Sequence, residues 1–358
     1  MSRIAVDAVI PSFAAGGAER VMLSFLTGLN ADRFDIRLLA LDPTGPLEDL
    51  ARSIPAHVDF GGKRMRQALP ALVKAVRARR PSILFSSQAH INLALLACKP
   101  FFSGTKIVVR EANMPSLCLK NGHWPAWYGW VYGRLLCRAG TVIATSRAMA
   151  GELRDDFGVD ADRIEVLPNP VDTEMLRTAS ETPLRHPGPG RRFVAVGRLV
   201  HQKGFDRLIG WMSDSDADDH LTLIGDGPLN DDLQQASRAA GLENRILFAG
   251  FQSTPWPMVA GADALLMPSR WEGLPNAALE ALAVGTPVIA TAESGGIQDI
   301  ADLAGGAVTV ADDDRAFIDA MRKTAIDPVT GLRPGLLPDP YDRAHATGRF
   351  SEMLTDLA

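Results

Sequence analysis

The sequence predicts two α/β domains in tandem, each a doubly wound, mostly parallel sheet covered by helices on both faces. Short apolar runs rich in Val and Ile alternate with longer stretches of helical periodicity through most of the 358 residues. A stretch dense in proline and glycine lies near the middle of the chain. Hydrophobic residues make up 46% and charged residues 22%, the balance of a globular protein long enough for two separate cores.

In the first half the strand candidates are Ile4–Ile10, Ile36–Leu41, Ile83–Ser86, Ile107–Arg110, Val142–Thr145 and Ile164–Leu167. In the second they are Phe193–Val196, Leu221–Ile224, Ile246–Phe248, Ala264–Met267, Val288–Ala290 and Val308–Val310. These runs lack polar alternation, so each strand is expected to be buried on both faces, as in a parallel sheet flanked by helices. Pro168-Asn169-Pro170 and then Ser180 to Arg192, with Pro183, Pro187, Gly188, Pro189 and Gly190, mark a linker. The expected division is therefore a first domain over 1–172 and a second over 190–335. After the Pro/Gly-rich stretch Pro334–Pro340, a helix is expected within 341–358.

Composition excludes several classes. The net charge of -5 hides an asymmetry: residues 1–171 carry 21 Lys/Arg and 15 Asp/Glu, or +6, and the rest of the chain carries -11. The two halves are expected to meet different partners, and the basic half is too weakly charged to imply nucleic acid. Cys98, Cys118 and Cys137 have neither CxxC nor Cys/His ligand spacing, which points to a reducing cytoplasm and away from a zinc site. Met1 to Val6 runs directly into a strand pattern without a cleavable apolar region, and no apolar run approaches the roughly 18 residues of a membrane span.

Four motifs carry chemistry. Gly16-Gly17-Ala18-Glu19-Arg20 follows the first strand and opens a helix, where Gly lets a ligand approach the backbone and free N–H groups face an anion. A tight strand–helix turn would read the same way, and neither GxGxxG nor a P-loop is present. Gly197-Arg198-Leu199-Val200-His201-Gln202-Lys203-Gly204 puts Arg198 and Lys203 outside the carboxyl end of a strand, where two cations can neutralise a diphosphate. Gly225-Asp226-Gly227-Pro228 repeats the strand–loop–helix pattern, with Gly225 and Gly227 leaving room for a base or ribose or simply making a turn. Glu272-Gly273-Leu274-Pro275-Asn276-Ala277-Ala278-Leu279-Glu280 places one carboxylate in a loop and another in the first turn of a helix beginning near Asn276. Such a pair can grip hydroxyls while helix N–H groups face phosphate.

These motifs, in this order, resemble the family-4 retaining glycosyltransferases with the two-domain GT-B fold. Thr145-Ser146, Leu167-Pro168-Asn169-Pro170-Val171-Asp172, Gln202-Lys203-Gly204-Phe205-Asp206 and Ala283-Val284-Gly285-Thr286-Pro287-Val288 extend the resemblance over nearly the whole chain. It implies two Rossmann-like domains facing a cleft, with the nucleotide-sugar held mostly by the second and the terminal helix crossing back onto the first. Arg198 and Lys203 would bind the donor diphosphate, approached by Gly16 and Gly17. Glu280 would hold the ribose, and Glu272 with the backbone of Gly273, Leu274 and Pro275 the donor sugar.

Negative charge develops on the β-phosphate as the glycosidic bond breaks, and preorganised cations with a helix N-terminus can stabilise it without a metal or other cofactor. The acidic runs Asp214–Asp219 and Asp312–Asp314 are read as a solvated loop and a helix start. Retention comes from the resemblance alone. Many relatives carry a histidine where this chain has Ala112, in Arg110-Glu111-Ala112-Asn113, so Glu111 and Asn113, with His90 and Asn92, are the candidate acceptor or sugar contacts.

Two segments bear on a membrane. Lys63-Arg64-Met65-Arg66 leads into a basic helical pattern with Leu69, Leu72, Val73 and Val76, which fits either an anionic leaflet or an ordinary domain helix. Trp124, Trp127, Tyr128, Trp130 and Tyr132 crowd the region after Leu117 and Leu119, and suit either a headgroup layer or a core. The expected enzyme is a cytoplasmic glycosyltransferase, peripheral at the inner face of the membrane, that passes a sugar from a UDP-sugar to a glycan or lipid-linked glycan acceptor. The alternatives are a nucleotide-sugar epimerase or hydrolase of the same fold and a non-catalytic nucleotide-sugar-binding subunit.

Overall fold

A computed structural model describes residues 3–14, 16–122, 124–185, 188–328 and 330–358. Met1, Ser2 and Pro187, which the sequence reading uses, lie outside them. The chain divides into two compact units, one of Met1–Pro170 with Arg343–Ala358 and one of Val171–Asp342.

The sheet of the first unit has seven parallel strands: β1 (Ile4–Ser12), β2 (Phe34–Asp42), β3 (Ala56–Asp59), β4 (Ile83–Ser86), β5 (Lys106–Arg110), β6 (Thr141–Ala144) and β7 (Ile164–Val166). Their spatial order is β3-β2-β1-β4-β5-β6-β7. Successive residues of one strand enter different cores: Ala8 and Ile10 pack on one face with Phe85, while Val9 packs on the other with Leu84. Burial on both faces is what makes these strands continuous apolar runs. The exception is β3, Ala-His-Val-Asp, a half-exposed edge strand that the apolar pattern does not predict.

The second unit has six parallel strands: β8 (Arg192–Val196), β9 (His220–Ile224), β10 (Ile246–Gly250), β11 (Ala264–Met267), β12 (Val288–Thr291) and β13 (Val308–Ala311). They lie in the order β10-β9-β8-β11-β12-β13. In each unit the order reverses beside the first strand, between β1 and β4 and between β8 and β11. Connections leave such a pair in opposite directions, which opens a crevice at the carboxyl edge. The loops after β1, β4, β8 and β11 are therefore the ones placed to meet a ligand.

The chain passes between units at Pro170/Val171, directly after the Pro168-Asn169-Pro170 that opens the expected linker, and again at Asp342/Arg343, while residues 180–192 fall within the second unit. Val171 and Leu176 are buried in the second core, the Val171 N–H donates to the Tyr341 carbonyl at 2.9 Å, and the Leu184 N–H donates to Pro257 O at 2.8 Å. These contacts bind residues 171–184, which include the helix Thr173–Ala179, to the second unit, so the segment after Pro170 is packed chain rather than a tether.

The terminal helix Arg343–Leu357 belongs to the first unit and packs on the helix Gly17–Thr27. Ala346, Phe350 and Leu354, spaced at four residues, are fully buried along one face. The Phe350 ring lies 4.8 Å from that of Phe25 and 5.2 Å from that of Phe85, in tilted contacts. Phe350→Ala is expected to destabilise the first unit by about 3–5 kcal/mol. Urea unfolding followed by a probe in that unit checks this, and an unshifted midpoint would contradict the packing.

Candidate active site

At the carboxyl edge of the second sheet, the loop after β8 and the loop after β11 are tied together. Gln202 Nε2 donates to Trp271 O at 2.9 Å, and the Arg270 N–H donates to Gln202 O at 2.8 Å. Arg270 adds two bonds to Asp206, at 2.8 and 2.6 Å, and this partner holds the Asp206 carboxyl below its ordinary value. Within this frame Lys203 Nζ donates to Glu272 Oε1 at 2.6 Å, and Ser269 Oγ donates to the same oxygen at 2.9 Å. Glu272 is buried and Lys203 half-buried. Glu272 Oε2 takes no hydrogen bond from the described residues.

Arg198 is exposed, one residue beyond Gly197 at the end of β8. Among the described residues no hydrogen bond or ion pair holds its guanidinium. The helix Asn276–Ala283 begins where the sequence places it, with Pro275 before its first turn. Glu280 lies in its second turn, not its first, and accepts from Trp256 Nε1 at 3.0 Å. Leu274 is buried. The Gly273 carbonyl accepts from the Gly296 N–H at 2.9 Å, so a third loop, after β12, braces the Glu272 segment.

Gly225 and Gly227 bring two loops together. Gly225 has φ +146, and a Cβ there would stand 1.9 Å from Gly197 O; one on Gly227 would stand 2.6 Å from Leu199 O. The backbone that comes close is the neighbouring loop, anchored by Leu199 N–H to Asp226 O at 2.9 Å. These glycines let the Arg198 loop press against the loop after β9, and so set the guanidinium's origin. Gly295 has the same function for Glu272: with φ +62, a Cβ there would meet Glu272 O at 1.9 Å. Neither Gly295 nor Ser269 figures in the sequence reading. The Ser294-Gly295-Gly296 turn after a strand was the available signal.

In the first unit, Gly16 and Gly17 open the helix after β1. The Glu19 side chain folds back over that opening, because a Cβ on Gly16 would stand 2.1 Å from Glu19 Oε2. Glu19 Oε1 also accepts from Gln88 Nε2 at 2.5 Å, joining the loops after β1 and β4. His90 lies beyond Gln88, its imidazole pushed below the usual value by desolvation and held up in part by Glu19.

Asn92 and Glu111 are not surface contacts. Both are buried, and Asn92 Nδ2 donates to Glu111 Oε1 at 2.8 Å and to Arg110 O at 3.0 Å, while its Oδ1 accepts from Ser86 Oγ at 2.6 Å. Every polar atom of Asn92 is thus engaged inside the sheet edge. Burial pushes the Glu111 carboxyl up to about 7, against hydrogen bonds from Tyr132 and Asn92 and the neighbouring Arg110. Arg110 is itself buried; it donates to Ser87 Oγ at 2.8 Å and to Asn169, and desolvation lowers it to about 10. Asn113 stays half-exposed, its Oδ1 accepting from the Met114 N–H at 3.0 Å. Ala112 is half-exposed beside it.

The acidic runs are structural. Asp219 is buried with Arg191, and Asp313 caps the helix Asp314–Lys323 by accepting from the Ala316 N–H at 2.7 Å. Asp214, Asp216 and Asp218 of the first run stay exposed, as a solvated loop requires.

Two family descriptions match the chain: Glycosyltransferase Family 4 over residues 15–175, and Glycosyl transferases group 1 over residues 177–333. The chain is 24% identical over 81% of its length, and 81% of the relative's, to an N-acetylgalactosamine-N,N'-diacetylbacillosaminyl-diphospho-undecaprenol 4-alpha-N-acetylgalactosaminyltransferase of Campylobacter jejuni. It is 32% identical to the lipopolysaccharide core biosynthesis glycosyltransferase LpsE of Rhizobium meliloti, over 54% of this chain and 56% of that one. In structure it is similar to Anabaena HepE solved with UDP and glucose, with TM-score 0.78, 18% identity and coverage of 99% and 100% of the two chains.

The Glu111 carboxyl gives a pH signature. Its folded value near 7 stands above the ordinary 4.5, so between these the folded chain keeps a proton that the unfolded chain releases. Stability is therefore expected to fall as pH rises from about 4.5 to about 7, and Glu111→Gln to flatten that part of the profile. Melting temperatures across this window check it; parallel profiles for the two proteins would contradict it.

Proposed function

Given that this chain is a glycosyltransferase of the GT-B fold, similar to family 4, we propose that it moves a sugar, with retention, from a UDP-sugar to a lipid-linked glycan in cell-surface polysaccharide synthesis. One observation carries the reading above the others. Lys203 and Glu272 face each other 2.6 Å apart at the carboxyl edge of the second sheet, beside the exposed Arg198 and the start of the helix Asn276–Ala283. That arrangement offers positive charge to a departing diphosphate and an acceptor oxygen to a sugar hydroxyl within one surface.

In the free protein the ion pair keeps both charges compensated where water is scarce. A donor diphosphate exchanges Lys203 from carboxylate to phosphate, and Arg198 approaches as a second cation with a planar fork. Glu272, now released, accepts hydroxyl protons of the donor sugar through Oε1 and Oε2. The backbone of Gly273, Leu274 and Pro275 shapes that subsite. Glu280 takes the ribose hydroxyls, with Trp256 fixing its direction. As the glycosidic bond breaks, the cations and helix N–H groups are already oriented toward the charge that develops on the β-phosphate, which lowers the barrier without reorganisation. These groups supply the positive charge that other transferases draw from a metal ion, so we assign no metal or other cofactor to the step.

From the first unit, the Gly16–Gly17 opening is the proposed donor contact, and His90 and Asn113 are the proposed acceptor contacts. Asn92 and Glu111 hold the loop that carries Asn113 and touch no substrate. The nucleotide is supported by HepE, solved with UDP. The lipid-linked acceptor is supported by the diphospho-undecaprenol named for the Campylobacter relative.

Lys203→Ala is expected to lower acceptor-dependent UDP release by about 10²–10³-fold with the circular dichroism unchanged. Near-native turnover would place the leaving-group site elsewhere. Turnover should survive EDTA, whereas a strict Mg²⁺ requirement would contradict the assignment of charge stabilisation to Arg198 and Lys203. Thermal shift across UDP-, GDP- and ADP-sugars tests the base, with stabilisation expected from the UDP series.

A further inference from the structure

We propose that the outer face of the helix Ala126–Leu136, together with Trp124 before it, is a docking surface for an anionic lipid bilayer. Trp124, Trp127 and Trp130 are 53%, 63% and 67% exposed, and they are half of the chain's six tryptophans. Trp127, Trp130 and Arg134 fall on one helical face, while Tyr132 and Leu136 on the other are buried in the first unit's core. The rings are also braced. Trp124 stacks on Tyr128 at 4.4 Å with an 11° interplanar angle, Trp127 meets Tyr128 edge-on at 6.1 Å, and the Arg134 guanidinium lies 5.2 Å from the Trp130 ring. Leaving three ordered indoles in water is unfavourable unless a partner covers them.

Charge chooses the partner. Between Glu111 and Glu152 the chain carries no Asp or Glu, and Lys120, Arg134 and Arg138 of this stretch are exposed, Arg134 lying against the Trp130 ring. An indole has an apolar body and an N–H tip, the combination that settles at the headgroup level, and guanidinium and ammonium groups beside it meet lipid phosphates. An apolar protein partner would call for no such acid-free stretch of chain. The basic helix Met65–Arg79 is a weaker platform: its Ala68, Leu72 and Val76 stripe is buried in the core, and Arg79 is committed to Asp7 and Asp35.

Position adds to the argument. The chain leaves β5 at the carboxyl edge and enters β6 at the opposite edge, so the helix runs against the strands, with Trp124 and Trp127 toward the edge that carries Gly16, His90 and Asn113. An amphiphilic acceptor held in the leaflet would reach that edge directly. Among the described residues no helix is long and apolar enough to cross a membrane, so the attachment inferred here is peripheral. The inference does not depend on the transfer reaction, and its failure would leave the donor site untouched.

The test uses the full chain with vesicles of phosphatidylcholine alone and with added phosphatidylglycerol, some carrying brominated acyl chains. We expect flotation with the anionic vesicles, and quenching of tryptophan emission by the brominated ones. The double variant Trp127→Ser, Trp130→Ser should lose at least about tenfold in vesicle affinity and most of the quenching, with an unchanged melting temperature. Arg134→Glu with Lys120→Glu, which leaves every indole in place, should weaken flotation on anionic vesicles. Equal binding by wild type and the tryptophan variant would overturn the proposal. So would concentration-dependent self-association that these substitutions abolish while vesicles bind neither protein, since the face would then join two copies.

Discussion

A lysine and a glutamate share a partly dehydrated position at the carboxyl edge of the second sheet, and the surrounding loops are shaped to keep them there. Lys203 comes from the loop after β8 and Glu272 from the loop after β11, and neither loop can drift without separating charges that water no longer screens fully. Ser269 reinforces the carboxylate, Gln202 and Arg270 lock the two loops, and the close approach of Gly295 to Glu272 O prevents retreat from the third side. The site is thus organised before any ligand arrives, which is the condition for electrostatic stabilisation to act at low cost.

The parallel sheets were legible because strands buried on both faces leave an unbroken apolar signature, as Ile83-Leu84-Phe85 does when it feeds two cores at once. The half-exposed edge strand Ala56–Asp59 escapes the same test. Arg198, Lys203, Glu272 and the helix after Pro275 could be placed because strand ends fix where loops emerge. What could not be read was whether a polar residue beyond a strand turns inward. Asn92 and Glu111 have the composition of ligand contacts, yet partners distant in sequence, the Arg110 carbonyl and Tyr132, draw them inside. The same limit applies in reverse to Trp127 and Trp130, whose large rings fit a core or a surface equally well until the helix phase is known.

The carboxyl edge of the first unit depends on this internal chemistry. Arg110, Ser87 and Asn169 form one buried set, and Ser86, Asn92, Glu111 and Tyr132 another, with Arg110 and Glu111 adjacent in sequence. Together they fasten the ends of β4 and β5 to Pro168-Asn169-Pro170 and to the helix that bears the exposed indoles. Buried polar networks of this kind fix geometry more than they add stability. Ala112 sits on a firm base and contributes only a methyl group, so the chemistry of this edge falls to its neighbours.

The first unit is built from two distant parts of the chain, with Phe350 seated between Phe25 and Phe85. During synthesis, ribosomes deliver residues 171–342 before the helix that closes the first core. Early residues must therefore wait, incompletely sealed, while the later unit has everything it needs to fold at once. Nascent-chain chaperones would find their longest-lived client surface on the half made first.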